Sequence, residues 1–236
     1  MFFYIDWTYV ILVIPAIILS IIASAMVSHT FNKYSRVNSM CGLTAAQVAR
    51  QILDNNGLGF VLIEHVGGSL TDHYDPRRNV IRLSDSTYYS TSAAAIGVAI
   101  HEVGHALQYQ KKYFPIKIRQ AIIPVTKIGS QLAIPLIIIG IFLSTLGEHF
   151  CYIAYVGIGF FALSVLFQLV TLPVEFNASK RAMKALKANN ILTREELAQS
   201  RKVLTAAAMT YVTALVVSFM QLLRFLIIIG RRNRRN

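Results

Sequence analysis

Two long apolar segments meet in residues 122–172, which read IIPVTKIGSQLAIPLIIIGIFLSTLGEHFCYIAYVGIGFFALSVLFQLVTL. The first apolar segment covers residues 122–146 and the second covers residues 151–172. A helix of about 20 apolar residues is long enough to cross the hydrocarbon core of a bilayer, so each segment predicts one membrane span. Because only Gly147 to Phe150 separates them, the two spans are predicted to form a tight helical hairpin.

Two further apolar segments lie toward the ends of the chain, at residues 7–27 and 206–229. No lysine or arginine precedes Lys33, so the first of them lacks the basic start of a secretory signal and is predicted to remain as a span. The last segment is predicted as a fourth span although Arg224 interrupts it, and the alternative is a helix at the membrane interface. The sequence therefore predicts a mostly α-helical membrane protein with several spans.

The composition supports a membrane protein and argues against a nucleic-acid-binding one. Hydrophobic residues make up 55% of the chain and charged residues 14%, whereas soluble domains hold about 25% charged residues. The formal net charge is +12, but many of the cations flank apolar segments, as is usual on the cytoplasmic side of a membrane. We therefore expect a multi-pass protein of the cell membrane, surrounded by lipid, with residues 111–127 and 180–202 in the cytoplasm and no nucleic acid partner.

The segment 28–120 is polar enough to form a small folded portion outside the spans. Short strands are predicted at residues 60–66 and 79–83, with turn-forming residues at 74–76 between them. A helix is predicted from about residue 91 to residue 110, so this portion combines a short sheet with a helix. The predicted fold class is mostly α, with this small α+β portion attached to the spans.

The predicted helix contains the sequence HEVGH at residues 101–105, which has the pattern H-E-x-x-H. Residues four apart lie on one face of a helix, so the two imidazoles can bind one Zn²⁺ ion at about 2.0–2.1 Å each. Glu102 lies beside them and can accept a proton from a water molecule that attacks a carbonyl group. The small apolar residues 93–100 indicate a buried helix, in which such polar groups need a partner. The segment 28–120 is therefore predicted to be a zincin-like catalytic portion with one zinc ion per chain.

A catalytic zinc ion needs a third protein ligand besides His101 and His105. The acids that follow the motif are four glutamates, Glu148, Glu175, Glu195 and Glu196. The first lies in the hairpin turn, and the last two fit a helix start, where Thr193 and Glu196 form a capping-box signature. Glu175 follows the two spans of the hairpin directly, which returns it to the side of the membrane that holds the motif. It is therefore predicted as the third ligand, at the start of a polar helical segment, 174–205.

The stretch HEVGHALQ, the two-span hairpin and the later stretch PVEFNASKRA together resemble the YugP-type neutral zinc metallopeptidases of the membrane. Residues 72–84, DHYDPRRNVIRLS, are also similar to the sequence that precedes the motif in that family. A looser resemblance is to the HtpX-type and CAAX prenyl endopeptidases. The resemblance implies that His101, His105 and Glu175 bind zinc and that Glu102 is catalytic. The looser relatives have an aspartate four residues after the third ligand, where this chain has Ser179, a candidate contact to a ligand or a substrate.

Other residues are candidates for contact with a substrate. His73 lies in a turn-rich segment and fits either a surface loop or a substrate contact. Arg181 and Tyr211 could each stabilise a developing oxyanion, and the sequence does not choose between them. The strand 79–83 could present an edge to an extended peptide or could be purely structural.

The favoured function is a membrane zinc metalloendopeptidase that hydrolyses peptides or proteins, including membrane proteins, with its active site on the cytoplasmic side. A site-2-type intramembrane protease also uses H-E-x-x-H, but it takes a later aspartate as a ligand, and no aspartate follows Asp85. The third alternative is a non-enzymatic membrane scaffold with a metal-free motif. The two cysteines, Cys41 and Cys151, are too few for a disulfide framework or a cysteine-rich zinc module.

Overall fold

The computed structural model describes residues 6–233, which contain six α-helices and three short β-strands. The helices are α1 (Ile14–Tyr34), α2 (Ala45–Asn55), α3 (Ala93–Gln110), α4 (Phe114–Leu143), α5 (Cys151–Ala188) and α6 (Arg194–Asn233). The strands are β1 (Leu62–Val66), β2 (His73–Asp75) and β3 (Val80–Ser84). A turn of π-helix, Tyr9–Val13, leads into α1, and a turn of 3-10 helix, Glu148–Phe150, precedes α5.

Four helical stretches are long and apolar enough to cross a membrane, judged by length and composition. They are Tyr9–Tyr34, Phe114–Leu143, Cys151–Ala188 and Arg194–Arg231. With the small sheet beside them, they confirm the predicted fold class, a mostly α-helical membrane protein with a small α+β portion.

Helices α5 and α6 each join an apolar segment to a polar one without a break. Pro173 lies inside α5 at the point where the apolar segment ends, and the helix continues to Ala188. Helix α6 begins after Thr193, whose backbone N–H donates to the Glu196 carboxylate at 2.7 Å. The Glu196 backbone N–H donates in return to the Thr193 hydroxyl at 3.3 Å, which confirms the predicted capping box.

The chain divides into two compact units, of which the first comprises Met1–Ile22, Lys117–Leu172 and Thr210–Asn236. Within this unit α4 and α5 pack closely, because a Cβ atom at Gly140 would overlap the backbone of Ala154. Arg224, which interrupts the last apolar segment, lies 3.5 Å from the Asp6 carboxylate, and its guanidinium lies 5.0 Å from the ring centre of Tyr9. The charge within the apolar helix is therefore paired, as apolar surroundings require.

The second unit comprises Ala23–Ile116 and Pro173–Met209 and holds the larger apolar core. Helix α3 runs through this core, and its small residues before the H-E-x-x-H motif are buried. Helix α2 starts at a capping box between Thr44 and Gln47 and buries its apolar face in the same core. The motif helix is therefore enclosed by packed side chains, as its small apolar sequence indicated.

The three-stranded sheet of the second unit has the order β1-β3-β2. Strand β3 pairs in parallel with β1 and antiparallel with β2, with His73 opposite Arg82. The interpretation of residues 79–83 as a free edge for a peptide is therefore wrong, because both sides of this strand are already hydrogen-bonded. Strand β2 was not predicted, since it has only three residues and runs directly into the turn at Pro76. His73 accordingly lies on a strand and not in a loop.

Candidate metal centre

Helices α3 and α5 meet at Gly104, the residue between the two motif histidines. A Cβ atom at Gly104 would lie 2.5 Å from the carbonyl oxygen of Ala178 on α5, a distance at which atoms overlap. Only a residue without a side chain allows the two backbones to approach this closely. The contact holds the motif of α3 against the turn of α5 that carries Glu175.

The imidazoles of His101 and His105 face the carboxylate of Glu175 across this contact. The distance from His101 Nε2 to Glu175 Oε2 is 3.3 Å, and that from His105 Nε2 to the same oxygen is 3.5 Å. One ligand atom from each residue lies within 4.8 Å of the other two. The Glu175 side chain is only 3% exposed. The structure thus brings together the three residues predicted as metal ligands.

The two distances to Glu175 are long for charge-assisted hydrogen bonds and close to the spacing of two ligands on one zinc ion. Bonds of about 2.0–2.1 Å in a tetrahedron place neighbouring ligand atoms roughly 3.3–3.4 Å apart. Charge-assisted hydrogen bonds between nitrogen and oxygen are shorter, at about 2.7–2.9 Å. The observed 3.3 Å and 3.5 Å are close to such an edge, whereas the three ligand atoms as a set lie within 4.8 Å of one another and would close slightly around an ion. Two imidazoles with one carboxylate are an ordinary zinc donor set.

Glu102 adds a second carboxylate beside the three ligands. It is 8% exposed, and within residues 6–233 no hydrogen bond reaches its carboxylate. Burial lowers the pKa of the His105 imidazole, but the hydrogen bond to Glu175 and the charges of Glu102 and Glu175 outweigh burial and raise that pKa above its ordinary value. Two buried carboxylates therefore make the centre attractive to a cation.

Ser179 lies one helical turn after Glu175 and contacts the first ligand. Its hydroxyl oxygen is 3.1 Å from Nδ1 of His101 and can accept a hydrogen bond from that nitrogen. A proton on Nδ1 leaves the lone pair on Nε2, the nitrogen that faces Glu175. Ser179 thus lies where it can orient His101.

A chain of hydrogen bonds fixes the orientation of the second ligand, His105. Its Nδ1 lies 3.0 Å from Oε1 of Gln108, a fully buried side chain on the next turn of α3. The Gln108 amide nitrogen donates to the carbonyl of Val174 at 2.7 Å and to Oδ1 of Asn177 at 3.1 Å. The same Asn177 oxygen accepts from Nε of Arg181 at 2.7 Å.

The direction of this chain determines which nitrogen of His105 carries a proton. A carbonyl can only accept and a guanidinium can only donate, so Val174 and Arg181 fix the orientation of both amides. The oxygen of Gln108 must then face His105, and Nδ1 must donate to it. The lone pair of His105 is left on Nε2, toward Glu175, as a metal ligand requires.

Replacing Gln108 by leucine is expected to weaken zinc binding by about 10–100-fold, because His105 loses the acceptor that orients it. The zinc dissociation constant of the purified chain, measured by competition with a chromogenic chelator, checks this. The matched control is Gln110→Leu on the same helix, since Gln110 donates only to the carbonyl of Asn56. Equal zinc affinities in the two variants would show that Gln108 does not support the ligand.

Of the remaining candidates, Arg181 and His73 form no hydrogen bond with the three ligand residues in the described part of the chain. The guanidinium of Arg181 lies 5.7 Å from the ring centre of Tyr113, and its Nε donates to Asn177. His73 donates from Nδ1 to the carbonyl of Thr71 at 2.9 Å and lies on the edge strand β2. Tyr211 belongs to the first compact unit, so its role stays a prediction.

Sequence reasoning missed Gln108 and Asn177. The signal for Gln108 was its position three residues after His105, which places it on the same face of α3. Asn177 gave no comparable signal, because its contact depends on the approach of α5 to α3.

Comparison with known proteins shows which family the chain resembles. Residues 9–230 match a family model described as "Putative neutral zinc metallopeptidase". The chain is 46% identical over 220 residues to "Putative membrane protease YugP" of Bacillus subtilis (strain 168), which covers 93% of this chain and 96% of that protein. No solved structure matches the chain significantly. The extent of the family match and the identity to this relative establish that the chain belongs to the neutral zinc metallopeptidase family that the model describes.

Proposed function

We propose that the protein is a zinc endopeptidase of the membrane in which His101, His105 and Glu175 hold the metal and Glu102 is the general base. The convergence of the three donor atoms beside a buried carboxylate that accepts no hydrogen bond from residues 6–233 carries this proposal. The alternative of a site-2-type protease needs an aspartate as third ligand, and Glu175 occupies that place in the ligand set.

The chemistry follows from the positions of the side chains. A zinc ion held by the three ligands would supply Lewis acidity to a substrate carbonyl and to a water molecule. Glu102 accepts the proton of the attacking water and passes it to the leaving amine, so its carboxylate must be ionised and unpartnered before reaction. Ser179 and Gln108 keep the imidazoles in the tautomer that binds metal. Burial of the site strengthens each of these electrostatic interactions.

The proposed substrates are peptides or proteins, including proteins of the membrane. The relative from Bacillus subtilis is named as a membrane protease, and this chain has four helices apolar enough to cross a bilayer. Glu175 lies on α5, a helix that continues into an apolar segment, which favours substrates that reach the enzyme at the membrane surface.

Replacing Glu175 by alanine is expected to lower zinc affinity more than 100-fold, beyond the roughly 10–100-fold effect of losing an orienting residue. The loss of zinc affinity is measured in two ways. One is the zinc content per chain after dialysis, and the other is the zinc dissociation constant from competition with a chelator. Glu195→Ala is the matched control, because Glu195 is an exposed acid in the first turn of α6.

Glu196 is not an equivalent control for this experiment. Its carboxylate accepts hydrogen bonds from the backbone N–H groups of Met40 and Thr193, each at 2.7 Å. Glu196→Ala should lower the stability of the fold while the zinc ligands stay in place. If Glu175→Ala and Glu195→Ala retain zinc equally, the third ligand is a different residue.

We further propose that the catalytic centre faces the cytoplasm and the α4–α5 turn lies on the opposite side. The support is the excess of lysine and arginine on both sides of the hairpin, at residues 111–127 and 180–202.

Single cysteines placed at Lys112, His149 and Lys187, in a chain with Cys41→Ser and Cys151→Ser, test this topology. An impermeant thiol reagent on intact cells is expected to label only position 149. Labelling of positions 112 and 187 without 149 would invert the topology. Labelling of position 112 but not 187 would separate the two ligand helices by a bilayer and rule out one shared zinc ion.

A further inference from the structure

We infer that a groove between the polar parts of α5 and α6 binds one anionic phospholipid. The groove belongs to the second compact unit and has a volume of about 710 Å³. This volume lies in the range of about 300–1,000 Å³ typical of small-ligand sites. Ser179, which contacts His101, also lines the groove. The residues that carry the inference lie outside the proposed zinc ligands, and the inference does not depend on the proposed peptidase chemistry.

Four cations line the groove without an acidic partner. They are Lys180 and Lys187 on α5 and Arg194 and Arg201 on α6. All four side chains are exposed, and no described residue forms a salt bridge with any of them. No aspartate or glutamate of residues 6–233 lines the groove. The groove therefore presents an uncompensated positive charge.

The two neighbouring acids of α6 do not neutralise this charge. Glu196 is buried and accepts hydrogen bonds from the backbone of Met40 and Thr193. Glu195 is exposed but does not line the groove. The cations of the groove are therefore available to bind an anion from outside the chain.

Polarity changes along the length of the groove. Lys187 and Arg194 lie at the end where α5 finishes and α6 starts. Phe176 and Ala208 line the groove near the apolar segments of the same two helices. An amphiphile with its anionic headgroup at the Lys187 end and its acyl chain toward Phe176 matches this gradient.

The walls of the groove favour a lipid over a peptide. Both walls are helices, so their backbone N–H and carbonyl groups are already hydrogen-bonded within α5 and α6. An extended peptide would find no free backbone partners there, although such partners supply much of the affinity in peptide-binding sheets. Free phosphate would satisfy the cations but leave the apolar floor, which includes Met183 and Leu204, uncovered.

The experiment uses the full chain, purified in a neutral detergent and incubated with mixed phosphatidylcholine and phosphatidylglycerol. After repurification, mass spectrometry measures the ratio of the two lipids retained per chain. The wild type is expected to enrich phosphatidylglycerol. Lys187→Gln/Arg194→Gln should reduce the enrichment by on the order of tenfold or more, since each basic residue near an anionic lipid contributes on the order of fivefold. Unchanged zinc content serves as the check on folding.

The matched control is Lys184→Gln/Arg36→Gln, which removes one lysine and one arginine from exposed positions outside the groove. This variant should keep the wild-type enrichment. Equal loss in both double variants, or no enrichment in the wild type, would overturn the proposal. Release of the lipid by inorganic phosphate, but not by chloride of equal ionic strength, would assign a simple anion site instead. Displacement by a soluble peptide rich in glutamate and leucine would assign the groove to a polypeptide.

Discussion

Replacing Glu102 by glutamine is expected to abolish peptide hydrolysis while the chain keeps its zinc. The amide has nearly the shape of the carboxylate but cannot accept a proton from the attacking water. General acid–base catalysis contributes about 10²–10⁴-fold to rate, so kcat should fall by at least that range. The ligands His101, His105 and Glu175 are unchanged, so metal content should stay near that of the wild type.

Hydrolysis of dye-labelled casein by the purified chain, measured together with zinc per chain, tests this expectation. Glu195→Gln makes the same chemical change at an exposed position and should leave both quantities unchanged. If Glu102→Gln keeps wild-type activity, the proposed base is wrong. Loss of zinc together with activity would instead show that Glu102 supports the metal. The inactive variant also offers a trap for substrates that bind but are not cleaved.

Replacing either His101 or His105 by alanine is expected to remove stoichiometric zinc. Two remaining protein ligands do not complete the three-ligand set that catalytic zinc sites use. Activity should disappear together with the metal, unlike the result expected for Glu102→Gln. The two histidine variants should behave alike, because both imidazoles face the same Glu175 oxygen.

Elemental analysis of zinc after gel filtration measures this loss, with far-ultraviolet circular dichroism as the check on helix content. His149→Ala is the matched control, since His149 is an exposed residue of the turn before α5. Full zinc retention in both His101→Ala and His105→Ala would refute the metal centre. If only one of the two variants retains zinc, the histidine replaced in that variant is not a ligand, and the proposed ligand set must be revised.

The sequence predicted the parts of the site that depend on local spacing. His101, Glu102 and His105 share one helix, so the 3.6-residue period alone brings them together. Glu175 lies far along the chain, and its prediction depended on the small number of acids and on counting two spans between it and the motif. The apolar segments were equally clear, because a bilayer demands long apolar helices.

The parts that were missed depend on tertiary contacts. Strand β2 is stabilised by its pairing with β3, and three residues are too few to show an alternating pattern. Whether β3 lies at the edge or in the centre of the sheet likewise depends on the strands that pair with it. The residues of β3 alone do not show this. Asn177 joins Gln108 only because Gly104 lets α5 approach α3. In each case the sequence shows which residue is present but not which residue it contacts in the fold.

The presence of serine at position 179 bears on the net charge of the proposed centre. With both imidazoles neutral, the carboxylates of Glu102 and Glu175 would balance the charge of one Zn²⁺ ion. An aspartate in place of Ser179 would leave a net negative charge in surroundings where Glu175 is almost fully buried. Uncompensated charge is costly in such surroundings, so the serine orients His101 without adding that cost. Loss of such an ion would leave the charges of Glu102 and Glu175 to be neutralised by another cation or by protons.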